Sequence, residues 1–555
     1  MEDKLTKAII QAAGDYGLDP NEVEISYPDE NFGDYATNVA LKLASRVGGS
    51  PREIAQILAN KLRQIMPELS RVDIAGPGFI NVRLSDRALI DLMDSEPAKP
   101  LSGKVIVTEF SDPNPFKLLH VGHLYTSIIG DAMSNLLEVS GASVFRVNYG
   151  GDVGLHVGKT MWAMLKQLGG ENPQELAKIA HRERGEWMSR AYVAGNKAYD
   201  EDGRAKQEIN DLNRRIYQIQ AEKDKQSPLA QIYWTTRQWS YDALNDFYSK
   251  LNIKFDRYYP ESQTAPIGIK TVNEQLVRGV FERSDGAVVF KGEKYGLHTR
   301  VFITDAGLPT YEAKELGLAE LKQQDYGYDQ SIIITGNEQE QYMAVVLKAL
   351  EQFAPELAQN TAHLTHGMVR LAGGKKMSSR AGNFLGADEV LEVASEAAIE
   401  VSSKADQKVI LAAVKYSMLK QRLGGDIIFV PEESVSILGN SGPYLQYAHA
   451  RARSILSKAG YTGSKETTKI DEMERSLTLK LSRYSSVVNQ AVDELSPHIL
   501  CTYLYETAQA FNRFYESNRV IGDEKQSFRL ALVKTYADRL KDGLGLLGIE
   551  APERL

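Results

Sequence analysis

The sequence predicts a multidomain α/β fold: a mostly parallel sheet in the middle, an α+β unit before it and an all-α helical bundle after it. Three observations carry this. From residue 101 to about 425, β-rich runs alternate with helical stretches, as in strand–helix–strand units around a parallel sheet. Residues 1–98 mix helical periodicity with one clear strand. Beyond about residue 430 the strand signals fade and long amphipathic helical patterns remain. A chain of 555 residues has room for such a three-domain layout.

Taken in order, Leu5, Ile9, Ile10 and Ala13 predict an opening helix. Val39, Leu41 and Leu43, then Ile54, Ile57 and Leu58, predict two more. Ala75-Gly76-Pro77-Gly78 is a turn feeding a strand at 79–84, and Ser95–Pro100 is a linker. In the central region the best strands are 105–107, 144–147, 287–290 and 331–334. The polar, helical stretch at about 170–240 is an insertion on that body. The final helices are expected at 445–459, 477–495, 499–518 and 528–547. The domains are therefore set at 1–98, 99–428 and 429–555.

Composition narrows the function. Hydrophobic residues are 43% and charged residues 25%, with a net charge of −8, which argues against a uniformly basic nucleic-acid coat. The single cysteine, Cys501, excludes a disulfide framework and a cysteine-built zinc site, and fits a reducing, cytoplasmic setting. The first residues lack the pattern of a signal peptide, and no apolar run nears the ~18 residues of a membrane span.

The most informative segment follows the 105–110 strand. Ser111-Asp112-Pro113-Asn114-Pro115-Phe116-Lys117 is a Pro-rich turn, and His120-Val121-Gly122-His123 opens an apolar helix. In a parallel α/β sheet this is where ligands bind, and helix N-terminal amides favour phosphate. His120 and His123, three apart, share a helix face, and Gly122 permits close approach to the backbone. The pair would also suit a metal, but His156 is a weak third ligand and no structural metal is expected.

The segment Pro113-Asn114, Lys117 and His120-Val121-Gly122-His123 resembles the His-Ile-Gly-His signature of class I aminoacyl-tRNA synthetases, and the arginyl-tRNA synthetases in particular. Gly374-Lys375-Lys376-Met377-Ser378-Ser379-Arg380 resembles that family's Lys-Met-Ser-Lys-Ser loop, about 250 residues later. The resemblance implies a Rossmann-like catalytic domain and an arginine–tRNA ligase. The enzyme would form arginyl-adenylate from L-arginine and ATP with Mg²⁺, then load the 3′-terminal adenosine of tRNA(Arg). It implies that Pro113, Gly122, His120, His123, Lys376, Met377 and Ser378 meet ATP. Ser379 stands where the family carries a second loop lysine. Lys117, just upstream of the signature, is the substitute, and Lys375 the lesser alternative.

For arginine, the resemblance nominates Asn114, Asn148, Asp152, Glu261, Tyr311, Glu315 and Gln339, with His156 near substrate or adenine. Glu315 replaces a more usual Asp, and Glu340 and Gln341 depart from the family's His-containing form. Carboxylates paired with added polar contacts are what a guanidinium requires. Asn31–Asn38 and Gly76–Asn81 resemble the family's N-terminal tRNA-contacting domain. Residues 413–419 and 442–451 resemble its anticodon-binding bundle, with Tyr444, Tyr447 and Arg451 as tRNA contacts and His449 as a phosphate contact. A monomer that needs bound tRNA for activation is expected. The rivals are a zinc-using cysteinyl enzyme, a small nucleotidyltransferase and a catalytically silent RNA-binding paralogue.

Overall fold

The computed structural model describes residues 1–117, 119–372, 385–402, 406–461, 463–466 and 469–555. Five strands form the central sheet, in the order Thr361–His366, Gln330–Gly336, Val105–Glu109, Ser143–Gly150, Arg257–Pro260. Every neighbouring pair is parallel. The chain starts in the middle, works outward to Arg257–Pro260, then returns to the other side. The strand order therefore reverses between Val105–Glu109 and Gln330–Gly336, and the crevice at their C-terminal ends is the natural ligand position.

Two sequence expectations change here. Residues Ala287–Phe290 are a strand, but they pair antiparallel with Glu282–Ser284 and Arg300–Ile303 in a separate small sheet. An apolar run of four cannot report its pairing direction. The sheet instead recruits Arg257–Pro260 and Thr361–His366, which are too polar to stand out.

The insertion is helical: Arg184–Glu201, Gly203–Glu222 and Pro228–Leu251. The last of these is capped by the Ser227 hydroxyl, with Pro228 in its first turn. At the N-terminus, a four-stranded antiparallel sheet packs against three helices around Leu5, Ile9, Leu43, Leu58 and Leu62. Ile57, expected on the apolar face, is 43% exposed.

In the C-terminal bundle, the helix expected over 477–495 is two, Glu472–Ser482 and Tyr484–Asp493, which break at Arg483. Arg483 reaches into the N-terminal unit and donates to the Asp34 carbonyl at 2.8 Å. Arg475 donates to both Asp34 carboxylate oxygens, at 3.1 and 2.8 Å, and to the Leu84 carbonyl. Leu479 completes the N-terminal core. The C-terminal tail is stitched to the body: Lys415 Nζ donates to the Gly548 carbonyl at 2.7 Å and Gln446 Nε2 to the Glu550 carbonyl at 2.7 Å. Among the described residues, no helix is long and apolar enough to cross a membrane.

The Asp34–Arg475 pair joins units more than 400 residues apart in sequence, and both side chains are buried. Burial raises the Asp34 pKa despite Arg475 and lowers that of Arg475 despite Asp34, so desolvation outweighs attraction on both sides. Removing one partner of such a pair costs roughly 3–5 kcal/mol, because the other charge stays buried alone. Arg475→Leu should therefore lower the urea midpoint of the N-terminal transition, and Asp34→Asn/Arg475→Leu should recover much of the loss. A double variant as unstable as the single one would contradict this.

Candidate active site

The site begins where Val105–Glu109 ends. Ser111, Asp112 and Phe116 all have positive φ, at 74°, 45° and 67°. Such backbone persists only where the surroundings over-determine it. Here they do. The Ser111 hydroxyl meets Tyr248 Oη at 2.8 Å, Asp112 Oδ1 accepts from the Tyr149 amide at 2.7 Å, Asn114 Oδ1 accepts from the Gly151 amide at 2.8 Å, and the Phe116 amide donates to Ser240 Oγ at 2.9 Å. Pro113 is buried within this loop.

His120 caps the Val121–Val139 helix. Its Nδ1 accepts from the Gly122 amide at 3.1 Å, and His123 Nδ1 accepts from the His120 amide at 3.2 Å. The rings lie 3.8 Å apart. A Cβ on Gly122 would come within 2.9 Å of the His120 ring, so glycine is what lets that imidazole fold over the helix start. Burial, then the Lys117 charge, pulls the His120 pKa down to about 4. Burial, then His120, holds His123 well below its usual value. Both are neutral near pH 7, and with Nδ1 accepting, the proton of each sits on Nε2. Lys117 Nζ lies 5.5 Å from the Tyr192 ring centroid.

An acidic cluster gathers where the Val105–Glu109 strand ends. Glu109 is 2% exposed and accepts from Lys322, whose ammonium also donates to Ser331 Oγ at 3.0 Å. Burial, then the Glu109 charge, pushes Asp112 well above the usual carboxylate range. Burial, then Glu109, pushes Glu315 up to about 8. Glu315 Oε1 accepts from Tyr342 Oη at 3.2 Å. Three carboxyl groups thus interact around one buried ammonium. The sequence analysis missed Glu109, Asp112, Lys322 and Tyr342. A signal for Glu109 existed: an acid inside an otherwise apolar parallel strand is out of place unless paired.

Several nominated residues face elsewhere. Asp152 is fully buried, and its oxygens are taken by the Ser262 amide (2.9 Å), Ser262 Oγ (2.8 Å), Arg237 Nε (2.9 Å) and Gln220 Nε2 (3.4 Å). That leaves it bracing the insertion. Asn148 spends its amide on the Phe110 carbonyl and Tyr248 Oη, both at 3.2 Å. Glu261 already has a cation: it pairs with Lys314, and each is 3% exposed. Tyr311 stands at the rim, 48% exposed, with its hydroxyl 3.2 Å from His156 Nδ1. His156 Nε2 lies 2.7 Å from the Gly151 carbonyl, so it carries the proton there and Nδ1 accepts from Tyr311. Gln339 is exposed in the turn after Gln330–Gly336.

Lys375, Lys376, Met377, Ser378, Ser379 and Arg380 lie outside the described residues. The chain just after them is pinned to the signature, since the Val121 amide donates to the Leu385 carbonyl at 2.8 Å and the Ala387 amide to the Leu119 carbonyl at 3.1 Å. In the bundle, Tyr444 Oη accepts from Asn512 at 2.9 Å and packs edge-on to Tyr505, which commits it to helix packing. His449 is fully buried with Nδ1 2.9 Å from the Pro552 carbonyl, so it does not face a phosphate. Tyr447 is 47% exposed, and Arg451 lies over the Tyr515 ring. Among the described residues, no three metal-ligating side chains gather into a cluster.

Comparison with known proteins places this geometry. Residues 88–429 match the family described as class I (R) tRNA synthetases, catalytic domain, residues 1–84 the arginyl tRNA synthetase N-terminal domain, and residues 445–555 the DALR anticodon-binding domain. The arginine–tRNA ligase of Phocaeicola vulgatus is 30% identical over 609 residues, covering 100% of both chains. That of Bacteroides thetaiotaomicron is 28% identical over 601 residues, again covering 100% of both. The solved Thermus thermophilus arginyl-tRNA synthetase superposes with a TM-score of 0.83 at 26% identity, covering 99% of each chain. The Plasmodium falciparum enzyme shares the fold, with a TM-score of 0.80 at 19% identity over 100% of this chain and 99% of its own. The chain belongs to the arginyl-tRNA synthetase family of class I.

Proposed function

We propose that the protein joins arginine to tRNA, with the carboxyl surplus at the buried Glu109 and the half-buried Asp112 and Glu315 as the observation that carries the reading. A cation-seeking cluster beside a helix N-terminus that presents two imidazole donors suits a guanidinium substrate next to a phosphate substrate. Full-length likeness to arginine–tRNA ligases supports the same reading.

In activation, an arginine carboxylate oxygen attacks the α-phosphorus of MgATP. The bond to the β-phosphate bridging oxygen breaks and pyrophosphate leaves. The ribose hydroxyl of the 3′-terminal adenosine then attacks the adenylate carbonyl, and AMP departs. Catalysis of this kind rests on positioning and charge stabilisation. We assign His120 and His123 as Nε2–H donors to phosphate oxygens, and Lys117 as the positive charge supplied from the loop ahead of the signature. Lys376, Met377 and Ser378 are assigned to the nucleotide on resemblance alone. Tyr311 and Glu315, with Asn114 and Gln339 at the rim, are assigned to arginine, and Tyr447 and Arg451 to tRNA. Domain limits of 1–98, 99–428 and 429–555 agree with this division of labour. A monomer in a reducing cytoplasm agrees with the lone, buried Cys501 as far as the compartment goes.

Incubated with MgATP, total tRNA and radiolabelled arginine, the purified protein should yield acid-precipitable label, and radiolabelled lysine should not. Label from neither amino acid would contradict the reading. With tRNA present, Lys117→Ala should slow arginine-dependent ATP–pyrophosphate exchange at least 100-fold, a loss of about 2.7 kcal/mol of transition-state stabilisation, while leaving the fold intact. Unchanged exchange would remove Lys117 from the mechanism.

A further inference from the structure

On the helical insertion, away from the site above, is a cleft of about 710 Å³. Its floor is one face of the Pro228–Leu251 helix, where Trp234, Arg237 and Gln238 follow each other at helical spacing. Trp239 and Arg184 close one side, and Lys225 stands at the mouth. Arg184 lies 4.2 Å from the Trp239 ring centroid, and its Nε is buried without a hydrogen-bond partner. Arg237 lies over both Trp234 and Tyr241. No carboxylate among the described residues lines the cleft. Arg237 is neutralised by Asp152 and Trp239 is buried, which leaves the half-buried Trp234 indole with Arg184 and Lys225, neither of them paired with a carboxylate among the described residues; an indole beside two such cations suits a base that stacks and a phosphate that pairs.

The same helix grips the catalytic loops at two points. Arg237 holds Asp152, which holds both the amide and hydroxyl of Ser262, the residue after Glu261. Ser240 accepts the Phe116 amide, the residue before Lys117, and Phe116 stacks on Tyr233 with centroids 5.9 Å apart. A ligand in the cleft therefore touches a helix that sets the backbone beside Glu261 and beside Lys117.

We propose that this cleft is a second nucleotide-binding site, separate from the catalytic one, and that its occupancy is transmitted through Arg237–Asp152 and Ser240–Phe116 to the catalytic loops. The proposal rests on the function assigned above for its coupling. The nucleotide is either free or part of a single RNA strand, since both offer a base and a phosphate. Arg237 is a positioning residue here and touches no reacting atom.

The test uses the full chain, with saturating arginine, in wild type, Trp234→Ala and Lys225→Glu. Lys225→Glu alters only an exposed side chain and so guards against misfolding of the tryptophan variant. Calorimetry with an ATP analogue carrying a non-hydrolysable α,β bridge counts the sites. A short adenylate oligomer is then titrated onto the analogue-saturated protein. For a free nucleotide, wild type binds two analogues per chain and the variants one. For a strand, all bind one analogue, and the variants weaken oligomer binding about tenfold. In either case arginine, titrated in a separate run onto the ligand-loaded protein, should bind more tightly than to the ligand-free protein in wild type and not in the variants. One analogue per chain throughout, with equal oligomer affinity, would overturn the proposal. The two readings fail separately: wild-type charging tests the first, and binding to the variants tests the second.

Discussion

Three carboxyl groups, the buried Glu109 and the half-buried Asp112 and Glu315, interact around a single buried ammonium, that of Lys322. Burying like charges in low dielectric is costly, and proteins answer it by holding a proton or by admitting a cation. Glu109 comes from the central strand, Asp112 from a strained loop, and Glu315 and Lys322 from the Tyr311–Tyr326 helix. None can retreat, because sheet, loop and helix are each locked by other bonds. Burial and the Glu109 charge favour a proton on Glu315, which a guanidinium, permanently charged and rich in donors, would replace on the proposed reading.

The phosphate side follows a different logic. There the protein removes charge: His120 and His123 are kept neutral by burial, and their Nδ1 atoms are occupied by backbone donors. Each imidazole is thereby fixed as one tautomer at the start of a long buried helix, which needs no reorganisation as charge develops. Lys117 then adds a positive charge from the loop. The Pro228–Leu251 helix holds that loop and also braces Asp152. The insertion thus braces the loop that carries Lys117.

Much of this was legible in the sequence, and what was not has physical reasons. The strand–turn–helix around His120 could be read because strand, Pro-rich turn and helix start each leave local marks. Asp152 and Asn148 were misjudged because a polar residue at a strand end looks the same whether it meets a ligand or a protein donor. Here Asp152 accepts from donors 85 and 110 residues away, and Asn148 donates to a hydroxyl 100 residues away. Glu261 resembled a guanidinium partner, but Lys314 reaches it first. The break at Arg483 is invisible to periodicity, since its cause is an arginine reaching a carbonyl in another unit. Glu109 was hidden in plain sight within the apolar 105–110 strand.

The claim that a protonated carboxyl cluster receives the arginine side chain can be tested by its proton balance. With burial and the Glu109 charge pushing Glu315 up to about 8, that carboxyl holds its proton at pH 7, and a guanidinium bound against it should expel that proton. Calorimetry of arginine binding at pH 7, in buffers of different ionisation enthalpy, reads this number directly. The account predicts release of close to one proton per arginine, falling towards zero by pH 9. Binding with no proton released at pH 7 would mean that the cluster is already ionised, or that arginine binds elsewhere.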